Sequence, residues 1–584
     1  MRFRWPKDTP FHREVLDVEQ DACPHCGQPL HICDHRIHRL FTLKGPVELV
    51  CRLAHCSDPD CPARGQTLSP ATELTFTLPR WLIGWDVFCW MGHRRFARHW
   101  SVSQLQAELR ESYHIPLSFD AILAYLGRYQ TMLAARQQDP QQMAKAYAEF
   151  DSLVLSIDGV QPEKGHETLY TVREWTAKRI WFAQSLLSSN QDEVRRLLIR
   201  AREWAEQLGK PVRLWLSDKQ DAFVAGIALE FPGVPHRYCD NHFLRDLAKP
   251  TLAADSTAKV QMRKKVRGLR QIEREVLKRR PARSAQVQGK HGVSEEAAPG
   301  PEAGAAAGQG QPRVKSAKAK EAATPTKQTQ PTGPTQPGDS EQAGQVVLDY
   351  CAVVRGILND DQGGPLHPPG IRMAEALAEV RASLGRLLAL NKPGRAHVLL
   401  GRLAGCIDRG LAEVRQRQEQ VREQVKAIQE VAATLDASTG TLARRKARYE
   451  QLRRQYESQG GEFYAQLGKL MHSFAGGLFV SVPAKKGQRL PSDNLDIERW
   501  FRKPKGHERR IHGHKHAGVR MVVQGPTLLL ALDAHEGHPQ PFTAEDLLPY
   551  RDAVPPHDQL EATQRHKLMR QARAQKNALS YSHT

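Results

Sequence analysis

Between Pro281 and Ala343 the chain contains no Phe, Trp, Tyr, Leu, Ile or Met. This stretch of mainly Ala, Gly, Gln, Pro, Lys and Thr, with seven basic and six acidic residues, cannot bury enough apolar area to offset its ordering entropy. It reads as a disordered linker over 281–343 and forbids one continuous core. The 584 residues therefore divide into unlike parts: strands and helices rich in Trp, Phe and β-branched residues come before it, and helical patterns dominate from 346 to 458 after it. At roughly 100–200 residues per domain, three or four domains are expected.

The chain carries 84 Lys plus Arg against 64 Asp plus Glu, a formal +20. Lys259 to Arg280 alone hold a net +8 and Arg499 to Arg520 a net +7, so most of the surplus sits in two segments. Concentrated positive charge is the footprint of a polyanion partner, whereas a solubility surplus would be diffuse. No run approaches the roughly 20 apolar residues of a spanning helix, and Met1–Pro6 lacks the apolar region of a secretory signal. A cytoplasmic, nucleoid-associated protein without a membrane partner is expected.

Six of the ten cysteines precede Arg64. Cys23 and Cys26, then Cys56 and Cys61, are close pairs separated by strand patterns, the arrangement in which a hairpin brings two knuckles onto one tetrahedral Zn²⁺. Residues 1–75 thus read as a zinc ribbon with one structural zinc; Cys33, Cys51, His25, His31, His35 and His55 are alternative ligands. Over 76–147 come two short helices, one capped by Ser101 or Ser103 and one by Ser118, after an Arg94, Arg95, Arg98 lead. The segment reads as a helix-turn-helix facing DNA, with a plain three-helix bundle as the alternative.

From Leu153 the order is β-β-β-α-β-α-β, a mixed sheet with two strands ending in acids, Asp158 and Asp218. Carboxylates held side by side repel, so such a pair calls for cations between them, and hard oxygen ligands favour Mg²⁺ or Mn²⁺. Later, Ser492 or Asp493 can cap a short helix carrying Asp496, a buried Ile497/Phe501 face, and Glu498 four residues before Arg502.

These residues resemble the DDE transposases with an RNase H-like core, including insertion-sequence enzymes and the Mutator and hAT groups. Asp158 and Asp218 match the two aspartates of that family, Cys239 and His242 its Cys-x-x-His motif, and Asn494-x-x-Ile497-Glu498-Arg499 the setting of its glutamate. Lys505 answers a lysine seven residues on, although Pro504 is expected to end the helix first.

The resemblance implies a multidomain α/β protein whose RNase H-like catalytic core spans 148–250 and 481–540. The core is interrupted by a basic helix (251–280), the linker and an all-α insertion (344–480), and is followed by a basic polar tail (541–584). It implies catalytic metal ligands Asp158, Asp218 and Glu498 for two Mg (or Mn) ions, with Cys239, His242 and Asn494 in support. DNA contacts are expected from Arg499, Arg502, Lys503, Lys505, Arg509 and Arg510, and from Lys264, Lys265 and Arg267. The implied function is a transposase that cuts and joins double-stranded DNA at terminal repeats and target, as a homo-oligomer during catalysis. An inactive or domesticated DNA-binding relative and a structure-specific nuclease are the alternatives.

Two patterns remain. Val414, Val421, Ile428 and Leu435 recur every seven residues, which predicts a helical hairpin with Leu442–Gln459 or a dimerising coiled coil. His507, His512, His514 and His516 among arginines read as a DNA-contacting basic loop, or as a second metal site.

Overall fold

The computed structural model describes residues 3–161, 166–278, 337–390, 394–482, 490–513 and 518–581. Most of the expected linker (281–336), together with His514 and His516, lies outside these. The chain is a multidomain mixed α/β protein with two compact units, residues 1–247 with 429–584, and residues 248–428. No helix among the described residues is long and apolar enough to cross a membrane.

The first unit begins with a mixed sheet. β1 (His12–Leu16) runs parallel to β3 (Gly45–Cys56), which forms a hairpin with β2 (Leu30–Thr42); β4 (Thr67–Leu68) pairs the end of β3. The hairpin turns at Gly45, where φ of +124° suits a residue without Cβ. Helices α1 (Glu73–Phe76), α2 (Trp85–Phe96), α3 (Val102–Glu111), α4 (Phe119–Gln137) and α5 (Pro140–Ala146) follow. Ser101 caps α3 with a reciprocal Gln104 contact, and Ser118 caps α4.

Next come β5 (Leu153–Val160), β6 (Thr168–Glu174), β7 (Arg179–Leu186), α6 (Gln191–Gln207), β8 (Val212–Ser217), α7 (Asp221–Glu230), β9 (His236–Tyr238) and the start of α8 (Asp240–Lys265). The sheet order is β7-β6-β5-β8-β9, with β5, β8 and β9 parallel and β6 and β7 antiparallel. This is the expected β-β-β-α-β-α-β order. Alternation along the strands gives two faces. Leu153, Leu155, Ile157, Val172 and Trp215 pack with α6 and α7. Val160, Leu169, Ile180 and Ala183 face α4 and the buried helix α17 (Gly518–Gly537). Gly525 permits that approach: a Cβ there would stand 2.7 Å from the Leu169 side chain.

The second unit is all-helical: the rest of α8, α9 (Leu269–Leu277), α10 (Pro337–Asn359), α11 (Pro369–Leu390) and most of α12 (Arg395–Leu435). Its core joins Met262, Val347, Leu377, Leu403 and Val414. Buried Asp255 accepts from the Gly370 and Ile371 amides at 2.7 and 2.9 Å, satisfying the first N–H groups of α11.

Several expectations need correction. The linker ends earlier than 343, because α10 starts at Pro337. The basic stretch of 251–280 is two helices broken at Gly268, where φ is +111°. The heptad seam is buried, but Val421 and Val425 pack on Ile371 of α11. α13 (Leu442–Gln459) folds back along the end of α12, where Tyr456 Oη donates to Glu430 at 2.9 Å and Arg445 Nη1 to Leu435 O at 2.8 Å; it also pairs with α14 (Glu462–Leu478), where Tyr449 Oη donates to Met471 O at 2.8 Å and Tyr456 stacks on Tyr464. Residues 429–480 belong to the first unit, so the insertion is 248–428. α15 (Leu495–Trp500) and α16 (Arg502–His512) meet at Phe501, and Pro504 sits in the first turn of α16 without ending it. The expected tail contains α18 (Ala544–Leu547) and a long α19 (His557–Tyr581) that is part of the core: Thr527 Oγ1 donates to Gln559 at 2.9 Å.

Candidate functional site

Parallel pairing of β5 with β8 matches Ser156 with Leu216, so two residues further along lie Asp158 and, just past the end of β8, Asp218. Neighbouring strands lie about 4.8 Å apart, which sets the two carboxylates beside each other. Even alternation turns Asp158 away from the Ile157 face covered by α6 and α7. Its Oδ1 accepts from its neighbour Gly159 N at 2.8 Å.

Glu498 joins them from α15, and α15 is seated by contacts from β5, β6 and the β9–α8 corner. Asp493 Oδ1 accepts from Leu495 N at 2.9 Å and caps its start. Asn494 is buried; its Nδ2 donates to Ile157 O of β5 at 3.2 Å, and its backbone N donates to Cys239 Sγ at 3.1 Å. Asp240 N donates to Ser492 O at 2.9 Å. Asp496 pairs with Arg173 of β6 at 3.1 Å, and that guanidinium lies over Trp500. Glu498 itself faces His242 Nδ1 at 3.7 Å. The structure therefore brings together six residues expected from sequence: Asp158, Asp218, Glu498, Cys239, His242 and Asn494.

The electrostatics are those of crowded acids. Burial, then the charges of Asp218 and Glu498, push the Asp158 carboxyl up to about 8; the Gly159 amide and Arg245 oppose this. Burial also raises Asp218, against the pull of His242. Asp218 Oδ1 and Glu498 Oε1 are buried oxygens without a hydrogen-bond partner. Such a set calls for a proton or a cation. The three carboxylates do not gather all their ligand atoms within 4.8 Å of one another; among the described residues only two other groups do.

One of those is the Cys23, Cys26, Cys56, Cys61 set. Cys23 and Cys26 flank a tight turn closed by Gly27 N donating to Cys23 O, and Cys56 and Cys61 lie at the end of β3, so the long hairpin joins the pairs. The Cys23–Cys61 and Cys26–Cys56 sulfurs are 3.7 and 3.4 Å apart. Thiolates at 2.3 Å from a tetrahedral zinc stand about 3.8 Å apart, so the four can hold a structural zinc. Amide N–H groups of Cys26 and His25 pull the Cys23 thiol down to about 6, while burial and the crowded neighbouring sulfurs push Cys26 and Cys61 up, as expected of thiols gathered without a cation between them. Of the alternatives, Cys33 is exposed and donates to Leu53 O, and Cys51 is buried in the sheet core.

Around the acids, Arg499, Arg502, Arg509 and Arg510 are exposed, while Lys503 is paired with Glu536. Lys505 is half-buried; burial and Arg509 lower its pKa, and Asp158 opposes them. Lys264, Lys265 and Arg267 are exposed on the helical unit, Lys265 paired with Glu413 at 3.2 Å. Of the Arg94, Arg95, Arg98 lead only Arg98 is exposed. Arg95 is buried, donating to Trp100 O at 2.9 Å, and Arg94 lies over Trp90 and Trp100. Phe119, Asp120, Ala124 and Gly127 form the exposed side of α4, which therefore carries no cation for a phosphate. His507 is no loop residue: it is buried on α16, stacked on Phe96 and 2.9 Å from His99 Nδ1.

Sequence reasoning missed Arg173, Arg245 and Asp246, the last of which raises Asp218. Arg245 and Asp246 follow His242 by three and four residues on one helix, a spacing that would have found them. Arg173 was visible as a lone cation in an apolar strand. No protein-family model matches the chain, and no curated protein matches it.

Proposed function

We propose that the protein is a DNA transposase of the DDE type, built on an RNase H-like core with a zinc ribbon in front. The observation that carries this reading is the placement of Asp158 and Asp218 at the ends of adjacent parallel strands, with Glu498 close enough to raise Asp158. The orphaned oxygens of Asp218 and Glu498 suit hard cations. Carboxylates too spread for one ion suit two ions about 3.5–4 Å apart, which when bound activate an attacking oxygen and stabilise a leaving oxygen in phosphoryl transfer.

The chain's own residues do the positioning. Asn494 and Cys239 hold α15 against β5, and His242 stands beside Glu498 without bonding it, leaving the carboxylate oxygen free for a cation. The exposed arginines of α15 and α16 bind the phosphate backbone, and the half-buried Lys505 sets the strand against Asp158. Water cuts the phosphodiester, and the freed 3′-OH then attacks target DNA; no covalent protein–DNA intermediate is required. Recognition of element ends belongs to the N-terminal sheet, whose β2 exposes His31, His35 and Arg36, rather than to α4.

Labelled duplexes carrying the ends of the source element, incubated with Mg²⁺, test this. Strand cleavage that Asp158→Ala and Glu498→Ala abolish is expected. Binding without cleavage would favour the inactive relative, and cleavage indifferent to both substitutions would sink the proposed site.

A further inference from the structure

We propose a second zinc-class site, distinct from the cysteines and the three acids, formed by His166, Glu167 and His566. Glu167 immediately precedes β6, and His566 lies on α19, almost 400 positions away in the chain. Their ligand atoms, with one from His166, all fall within 4.8 Å of one another.

The two imidazoles lie nearly parallel, 19° apart with centroids at 5.2 Å, which is unfavourable if both carry charge. Glu167 Oε2 and His566 Nε2 are 3.4 Å apart. That is too long for a charged hydrogen bond but close to the ~3.3 Å between two ligands each about 2.05 Å from one tetrahedral zinc.

Burial makes the arrangement costly without an ion. Glu167 and His566 are 8% and 6% exposed, and His566 Nε2, facing the carboxylate, has no hydrogen-bond partner. The other carboxylate oxygen, Oε1, faces a charged neighbour, Arg565 Nη2 at 3.4 Å, which leaves Oε2 for the metal. Gln161 Nε2 donates to His166 O at 2.9 Å and fixes that backbone. Two imidazoles and one carboxylate are borderline ligands that suit Zn²⁺ over Mg²⁺ or Ca²⁺, and three protein ligands leave a fourth position open. His566 also borders a cleft of about 600 Å³ between α17 and α19, lined with Arg520, Lys567 and Arg570. The metal would clamp α19 to the start of β6.

The test is metal stoichiometry on the full-length chain, loaded with Zn²⁺ and dialysed, with far-UV circular dichroism as a folding control. Wild type should hold two zinc ions, and His566→Ala and the milder His166→Asn one each. In Co²⁺-loaded samples, both variants should keep the thiolate-to-cobalt charge-transfer bands of the cysteine site while losing one equivalent of metal. The half-exposed His166 is replaceable without opening the core, so His166→Asn decides the matter should His566→Ala fail to fold. One zinc in wild type, or no loss in the folded variants, would overturn the proposal.

Discussion

His535 on α17 offers a sharp test of how the core is held. It is 7% exposed, stacked on Tyr129 and Phe96 and edge-on to Phe542, and its Nε2 accepts from Tyr129 Oη at 3.0 Å. Burial, then His93 and His538, pull its pKa from 6.5 down to about 3. A histidine depressed in this way is neutral in the fold but takes up a proton when unfolded. Its contribution is present above pH 6.5 and is lost as pH falls from there towards 3. A pH of 5.0 lies about 1.5 units below the ordinary pKa that the unfolded imidazole keeps, which at 1.36 kcal/mol per unit costs about 2 kcal/mol relative to pH 7.5.

His535→Gln keeps an acceptor for Tyr129 but cannot titrate. Hydrogen exchange of the Leu528–Leu532 amides at both pH values gives the opening free energy of α17. Wild type should lose about 2 kcal/mol more than the variant between pH 7.5 and 5.0, a factor of about 30 in opening. The neighbouring buried His93 and His507 titrate in both proteins and cancel. Equal pH dependence in the two would refute the assignment of a neutral, buried His535.

Asn494→Ala removes the Nδ2 bond to Ile157 O, worth about 1–3 kcal/mol when buried. Single-turnover cleavage should slow about tenfold or more while DNA affinity in filter binding stays level. Cys26→Ser should cost one zinc per chain by elemental analysis and open the β2–β3 hairpin to limited proteolysis. Gly92→Ala would set a Cβ 2.2 Å from the Tyr129 ring, and the overpacking, about 1–3 kcal/mol, outweighs the gain of about 1 kcal/mol in helix propensity. A lower Tm is expected, and an unchanged Tm would mean that α2 and α4 are not in this contact.

The acids were legible because each closes an apolar run, although only Asp218 lies past its strand: β5 runs two residues beyond Asp158, pairing Gly159 and Val160 with β6; the cysteine pairs were legible from spacing alone. What failed were readings that needed to know a partner. The seam through Val421 and Val425 fits any apolar stripe, and Ile371 of α11 is the stripe it meets. The unit boundaries fall inside α8 and α12, and a helix that continues through a boundary leaves no compositional mark. α19 was hidden because its buried positions include Gln559 and His566, which hydropathy scores as surface. Arg95 and His507 read as DNA contacts because a charge count does not show that Arg95 is buried on the Trp100 carbonyl or that burial keeps His507 neutral against Phe96.

The same logic explains how the helix carrying Glu498 can arrive so late in the chain. α15 has six residues, far too few to be helical on its own, so its position comes entirely from its seat. That seat is drawn from β5 through Ile157, from β6 through Arg173, and from the β9–α8 corner through Cys239, Asp240 and His242. Each contact depends on local geometry at 492–498, and none depends on how much chain separates the helix from the sheet. Lengthening the connection costs only about 0.6 kcal/mol per doubling, less than one buried hydrogen bond from Asn494 contributes. A helical unit of residues 248–428 can therefore be carried between Asp218 and Glu498 without disturbing the carboxylates, provided the contacts of Asn494, Cys239 and Arg173 are kept.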